Sequence, residues 1–200
     1  YYNFDKELFF EEKICFSDDR FVLRTNIKDE IFQNILFHIH LALWISYYKF
    51  YPTTSLVVET GNLSEDQIQF WKKFYLNGLG EFFYRNNLNP VGLLNFSSNI
   101  SKEFRKIDFS VSEKYMVPVG GWKDSIVSIE LLKQLGKEID GVTFAQKDNI
   151  LYENTSQNAG IQRLIIKREL SKNILDVIAS WAYNGHVPIT GIIAFILEMA

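Results

Sequence analysis

The sequence predicts an α/β fold in which an N-terminal α+β region, made of a hairpin and long helices, precedes a parallel sheet covered by helices. Three observations predict it. Strand and helix patterns alternate from Tyr115 onward, apolar residues recur at helical spacing between Ile31 and Phe82, and two adjacent glycines, Gly120 and Gly121, separate a strand pattern from a helix pattern.

Between Leu8 and Ile27, two segments rich in Phe, Ile, Val and Leu flank Ser17-Asp18-Asp19-Arg20 and read as a β-hairpin. Ile31 to Phe50 reads as a long, mostly buried helix closed by Pro52, and Leu56-Val57-Val58 as a short strand. Ser64, with Gln67 three residues on, forms a capping-box start for a second helix in which Ile68, Trp71, Tyr75, Leu79 and Phe82 share one face; Asn86-Asn87 ends it. Gly78 and Gly80 interrupt that helix at ~1 kcal/mol each relative to Ala, so close packing or a local break is expected there.

The stretch from Asn95 to Ser112, richer in Ser, Asn and Lys, is a candidate linker. It divides an N-terminal α+β domain, residues 1–110, a candidate substrate-binding unit, from a second domain, residues 111–200. In the latter, strand Tyr115 to Val119, helix Asp124 to Leu135, Gly136 and strand Ile139 to Ala145 make a βαβ unit. Leu164-Ile165-Ile166 continues as a third strand and Lys172 to Tyr183 as a helix, which implies a parallel sheet.

At 200 residues with 47% hydrophobic and 22% charged side chains, the chain can bury a sizeable core, and at 16% aromatic content rings supply much of it. The net charge of -3 and pI near 5.7 leave no basic stripe for a nucleic-acid backbone, so that partner class is not expected. Cys15 stands alone, which excludes an internal disulfide and fits a reducing compartment; the cytoplasm is the expected location. Ile35 to Tyr48, interrupted by His38, His40 and Ser46, is too short for an unbroken bilayer span, and no membrane partner is expected. The chain opens on Tyr1 and stops within an apolar helical pattern at Ile192 to Ala200, so it reads as truncated at the C-terminus.

A strand ending in two glycines and running into a helix that begins Asp124-Ser125 gathers backbone N–H groups around one point, where an anion belongs. Glycine is required because a Cβ would block the approach of backbone to phosphate oxygens. Ser125 can donate through its hydroxyl, and Asp124, acceptor-only when ionised, suits a metal ion or the loop itself. The alternative is a helix start whose glycines only pack a tight turn. Asp148-Asn149 lies at the carboxyl edge of the sheet, where nucleotides contact such folds, although both are common turn residues.

Gly120-Gly121-Trp122-Lys123-Asp124-Ser125 resembles the PP-loop of the ATP pyrophosphatase superfamily, Ser-Gly-Gly-x-Asp-Ser, with Trp122 where the pattern has glycine. A bulky residue there hinders phosphate unless the indole swings outward and the backbone keeps a negative φ. Further segments point within that superfamily: Ser46-Tyr47-Tyr48-Lys49, Gly78-Leu79-Gly80-Glu81-Phe82 to Tyr84-Arg85-Asn86, and Asn184-Gly185-His186-Val187-Pro188-Ile189-Thr190. With Val119 to Ser125, in this order and spanning most of the chain, they resemble the UDP-N-acetylmuramoyl-L-alanyl-L-glutamate epimerases of bacterial cell-wall synthesis. Members of that family are longer than this chain.

The resemblance implies an ATP- and Mg2+-dependent epimerase that inverts the terminal L-glutamate of the UDP-linked muramoyl dipeptide through an acyl-adenylate, releasing AMP and pyrophosphate. It implies a nucleotide held by Gly120, Gly121, Trp122, Lys123, Asp124, Ser125, Asp148 and Asn149, with Asp124 on the metal. His186, Asp124 and Lys123 are then the catalytic candidates, and Tyr48, Lys49, Arg85, Asn184 and Thr190 the substrate contacts. For His186 the competing reading is a turn and helix cap beside Pro188; for Lys49 and Arg85 it is helix-dipole complementarity. His38 and His40, two apart on a helix, face different directions and cannot share a metal. The alternative function is a non-catalytic PP-loop relative, with a binding or scaffold role, whose phosphate site Trp122 has closed.

Overall fold

The computed structural model describes residues 2–5, 7–16, 29–98 and 113–199. Strands β1 (Tyr2–Phe4) and β2 (Leu8–Phe10) pair antiparallel, with Tyr2 opposite Phe10. The expected hairpin between Leu8 and Ile27 is corrected at its first half. Leu8 to Phe10 pairs back onto Tyr2 to Phe4, because that register turns both Tyr2 and Phe10 into the core, where Tyr2 stacks on His40 and Tyr47. The turn Ser17 to Arg20 and its following strand lie outside the described residues.

Strand β3 (Lys13–Phe16) is followed by helix α1 (Glu30–Tyr48), whose start is fixed by Asp29: its Oδ1 accepts from the amides of Ile31 at 2.8 Å and Phe32 at 3.4 Å. Strand β4 (Ser55–Val58) then leads to helix α2 (Glu65–Gly78), which opens with the expected reciprocal Ser64–Gln67 capping box. The single second helix is corrected to two. The helix breaks at Leu79 and resumes as α3 (Gly80–Arg85); beside the break Gly78 abuts Pro188 so closely that a Cβ would lie 2.5 Å from its Cγ. Asn95 to Ser98, expected as the start of a linker, form strand β5 (Asn95–Ser98) parallel to β4; residues 99–112 lie outside the described residues.

The second half runs β6 (Tyr115–Pro118), α4 (Lys123–Gln134), β7 (Ile139–Ala145), α5 (Ile150–Asn158), β8 (Gln162–Glu169), α6 (Ile174–Ser180) and α7 (Ile189–Leu197). The sheet order is β3-β8-β7-β6. The three later strands are parallel as expected, but the sheet is mixed, because β3 adds antiparallel to β8 with Phe16 opposite Ile166. Helix α5 was not anticipated, and the expected helix Lys172 to Tyr183 contracts to α6.

The main core is aromatic: Trp71, Tyr47, Tyr48, Tyr75, Phe10, Phe50 and Phe82 are all fully buried. Burial of one such ring contributes about 1.5–3 kcal/mol. The hydroxyls of Tyr48 and Tyr75 are satisfied by the carbonyls of Thr53 at 2.9 Å and Leu41 at 2.6 Å, and burial raises both phenols well above their ordinary pKa. A smaller cluster, Val117, Val119, Ile129 and Ile139, joins the sheet to α4. Contacts cross the sequence position expected to divide two domains. Buried Glu12 pairs with Arg168 of β8, whose Nη2 donates to Ser46 of α1 at 2.8 Å, and α7 packs on α1. Among the described residues no helix is long and apolar enough to cross a membrane.

Candidate functional site

Strand β6 delivers the chain to the glycine turn. Val119 N–H still donates to Val142 O at 2.7 Å, after which Gly120, Gly121 and Trp122 carry it to α4. Gly121 has φ +71, and a Cβ there would press on Tyr152 Cδ1 at 3.3 Å and Leu151 Cβ at 3.4 Å, so both the backbone and the space demand glycine. A Cβ at Gly120 would meet only Trp122 Cδ1, at 3.9 Å, so the space beside that residue is open. Trp122 has an extended backbone with φ −108 and is 78% exposed.

Trp122, at the N-cap of α4, makes no side-chain cap hydrogen bond, so the side chain there leaves the first N–H donors of the helix uncapped, and the positive end of the helix dipole faces the turn. Lys123 and Asp124 are exposed at this end. Ser125 is buried, and its Oγ donates to Trp122 O at 2.8 Å; its hydroxyl closes the turn. Among the described residues no group of three or more His, Cys, Asp or Glu could hold a metal ion.

Asp148 and Asn149 follow β7 at the same edge of the sheet, both engaged by the protein. Arg163, nearly buried, binds Asp148 through Nη1 at 2.7 Å and Nη2 at 2.9 Å, and also pairs with Glu153. The Arg163 hydrogen bonds hold the Asp148 carboxyl below its ordinary range. Asn149 Oδ1 accepts from Leu151 N at 2.9 Å and caps α5.

A second arrangement forms where α3 meets the segment before α7. A cleft of about 320 Å³ is lined by Glu81, Arg85, Asn184, Gly185 and His186. Glu81 and Arg85 sit one helical turn apart, with Oε1 2.7 Å from Nε, and the other Glu81 oxygen is 3.4 Å from His186 Nδ1. The 184–186 segment is held in place by distant residues. Lys49 Nζ donates to Asn184 Oδ1 at 2.9 Å and to Gly185 O at 2.7 Å, and Asn86 Nδ2 donates to Asn184 O at 3.2 Å. A Cβ at Gly185 would lie 2.9 Å from Phe82 Cδ2, so glycine permits this approach. Burial, and secondarily Arg168, lowers the Lys49 pKa.

The structure thus brings together Lys49, Arg85, Asn184 and His186 from the sequence-predicted set. Thr190 is exposed in the first turn of α7 and is not among the residues lining the cleft. Tyr48 lies outside that group: its ring is fully buried in the packing of α1 and its hydroxyl donates to Thr53 O. His38 and His40 lie in the aromatic core and burial lowers both pKa values, that of His40 to about 4. Sequence reasoning missed Glu81 and Asn86. The i,i+4 spacing of Glu81 and Arg85 was the available signal for the first.

The family model described as the MurL N-terminal domain matches residues 1–200. The chain is 29% identical over 168 residues, 84% of its length, to a protein of Xanthomonas oryzae pv. oryzae named UDP-N-acetyl-alpha-D-muramoyl-L-alanyl-L-glutamate epimerase, of which it covers 37%. It is 31% identical over 161 residues to one of the same name from Micromonospora sp., with 77% of this chain and 34% of that protein covered. A third, from Salinispora tropica, is 30% identical over 155 residues, with 77% and 33% covered. The chain therefore spans about a third of the length of these relatives.

Proposed function

The chain belongs to the MurL N-terminal domain family, and on that premise we propose that it serves an ATP- and Mg2+-dependent epimerase of peptidoglycan precursor synthesis. The reaction inverts the terminal L-glutamate of the UDP-linked muramoyl dipeptide named in its relatives. Residues 111–200 take the nucleotide as a PP-loop unit, residues 1–110 contribute substrate contacts, and the cytoplasm is the place of action.

The observation that carries the nucleotide role is the turn between β6 and α4: Gly121 at φ +71, a helix start with no side-chain cap and an exposed Trp122 with negative φ. Together they support phosphate approach to backbone N–H groups. The extended backbone of Trp122, at φ −108, favours this reading over a closed, non-catalytic site. Asp124 and Lys123 stand at the same point, so Asp124 would share Mg2+ with phosphate oxygens, and Lys123 would offset phosphate charge. Ser125 contributes by fixing the turn. Asp148 acts indirectly, orienting the neighbouring loop through Arg163.

ATP, when bound, would supply activation by adenylating the substrate carboxylate with loss of pyrophosphate, which would make the adjacent Cα–H more acidic than it is beside a carboxylate anion. Arg85 gives the cleft a cationic group suited to a carboxylate or phosphate, Asn184 frames it, and Lys49 serves substrate contact through the 184–185 segment that it braces. His186, exposed on that cleft, would take the Cα proton, a solvent-derived proton would return on the opposite face, and water would then release the inverted carboxylate and AMP.

Turnover of the full-length protein in D₂O tests this. Deuterium enters the glutamate Cα only when ATP and Mg2+ are present, and His186→Ala slows exchange by ~10²–10⁴-fold. Exchange that proceeds equally well without ATP would overturn the adenylation step. In a separate calorimetric titration with ATP and Mg2+, Gly121→Val abolishes binding; undiminished binding would remove the turn from the nucleotide site.

A further inference from the structure

We propose that Glu81 is the positioning residue for His186: its carboxylate holds the imidazole with the proton on Nδ1 and leaves Nε2 as the working nitrogen. The inference rests on the reading of His186 as a proton carrier. It begins from an imbalance in how that residue is held. The backbone of its segment is fixed by Lys49, by Asn86, by the amide of Gly185 donating to Asn184 Oδ1 at 2.9 Å, and by Gly185 against Phe82. The ring is not fixed by packing, since the His186 side chain is 85% exposed.

Glu81 supplies the missing restraint. One oxygen lies 3.4 Å from His186 Nδ1, while the other is tethered by Arg85 Nε at 2.7 Å, so the carboxylate is itself braced from the next turn of α3. An ionised carboxylate only accepts hydrogen bonds. Facing Nδ1, it selects the tautomer that carries hydrogen there, and Nε2 is left as the acceptor. When Nε2 takes a proton, the same carboxylate stabilises the imidazolium, and Glu81 need not gain or lose a proton itself. The logic is that of a base oriented by a third group.

An exposed pair of this kind contributes little to stability. Its loss therefore shows in the ring and in turnover, not in the melting temperature. Glu81 also differs in role from Arg85, whose Nε is paired with the carboxylate.

Long-range ¹H–¹⁵N spectra of the chain, labelled on its three histidines and recorded at alkaline pH, read the tautomer directly. The wild type shows Nδ1–H at His186. Glu81→Ala moves it to the Nε2–H form that free imidazole prefers, with the melting temperature held within about a degree, and Glu81→Asp restores part of the Nδ1–H signal. An Nε2–H wild type, or a tautomer indifferent to Glu81→Ala, overturns the proposal. In the full-length protein Glu81→Ala lowers kcat by ~10–100-fold, the range for groups that orient a working histidine, with KM within about twofold. Full activity of His186→Ala would instead sink the proton-carrier reading, while the tautomer measurement would still judge the Glu81 contact.

Discussion

The glycine turn and the His186 cleft are built in opposite ways. The turn uses six consecutive residues and mostly backbone: Gly121 in the left-handed region, Ser125 returning a hydrogen bond to Trp122 O, and an uncapped α4. The cleft uses side chains far apart in sequence, with Lys49 and Asn184 separated by 135 positions and Asn86 and Asn184 by 98. A site made of backbone tolerates most changes elsewhere in the molecule. A site assembled across the fold inherits the precision, and the fragility, of the packing that assembles it.

The largest expected effect that would break this contrast is at Lys49. Lys49→Met keeps the buried stem but removes both hydrogen bonds to the 184–185 segment, and should cost about 2 kcal/mol on chemical denaturation. Amide shifts should concentrate at residues 183–187 and leave the glycine turn unmoved. Shifts of equal size around Gly121 would show that the two regions are coupled.

Gly78→Ala probes the same assembly through packing alone. The helix gains from alanine, but the new Cβ meets the ring of Pro188 at 2.5 Å, next to the cleft. A net loss of about 1–2 kcal/mol is expected, with displaced His186 resonances. A stabilised variant with an unchanged His186 would mean that the α2–Pro188 contact does not place the cleft.

On the side of the turn, acid should reveal the Asp148–Arg163 pair. The folded Asp148 carboxyl lies below its ordinary value, so its contribution is fully present above about 3.9 and is lost as pH falls through the lower folded value. Asp148→Asn therefore lowers the melting temperature at neutral pH, and the gap to wild type closes in strong acid. A gap that stays constant down to about pH 2 would deny the linkage.

The smallest effect belongs to Trp122→Gly. With the indole already 78% exposed, its removal should change ATP affinity by about twofold at most and stability by less than about 0.5 kcal/mol. A tenfold rise in affinity would mean that the indole enters the site after all.

What the sequence determined by itself was whatever is decided within a few residues. The Ser64–Gln67 capping box, the β6-α4-β7 order and the glycine turn follow from short-range hydrogen bonding and steric rules that the local residues carry with them. Strand Ile139 to Ala145 was legible for the same reason: a continuous apolar-rich run bounded by turn residues. The tertiary structure decided the rest. It set β3 antiparallel on β8, where buried Glu12 finds Arg168, and it split the second helix where Pro188 presses on Gly78. It also turned Tyr48 inward and gave Glu81 a histidine. Each of these depends on which distant surface arrives beside a residue, and that is fixed by packing of the whole core, not by the pattern on either side of it.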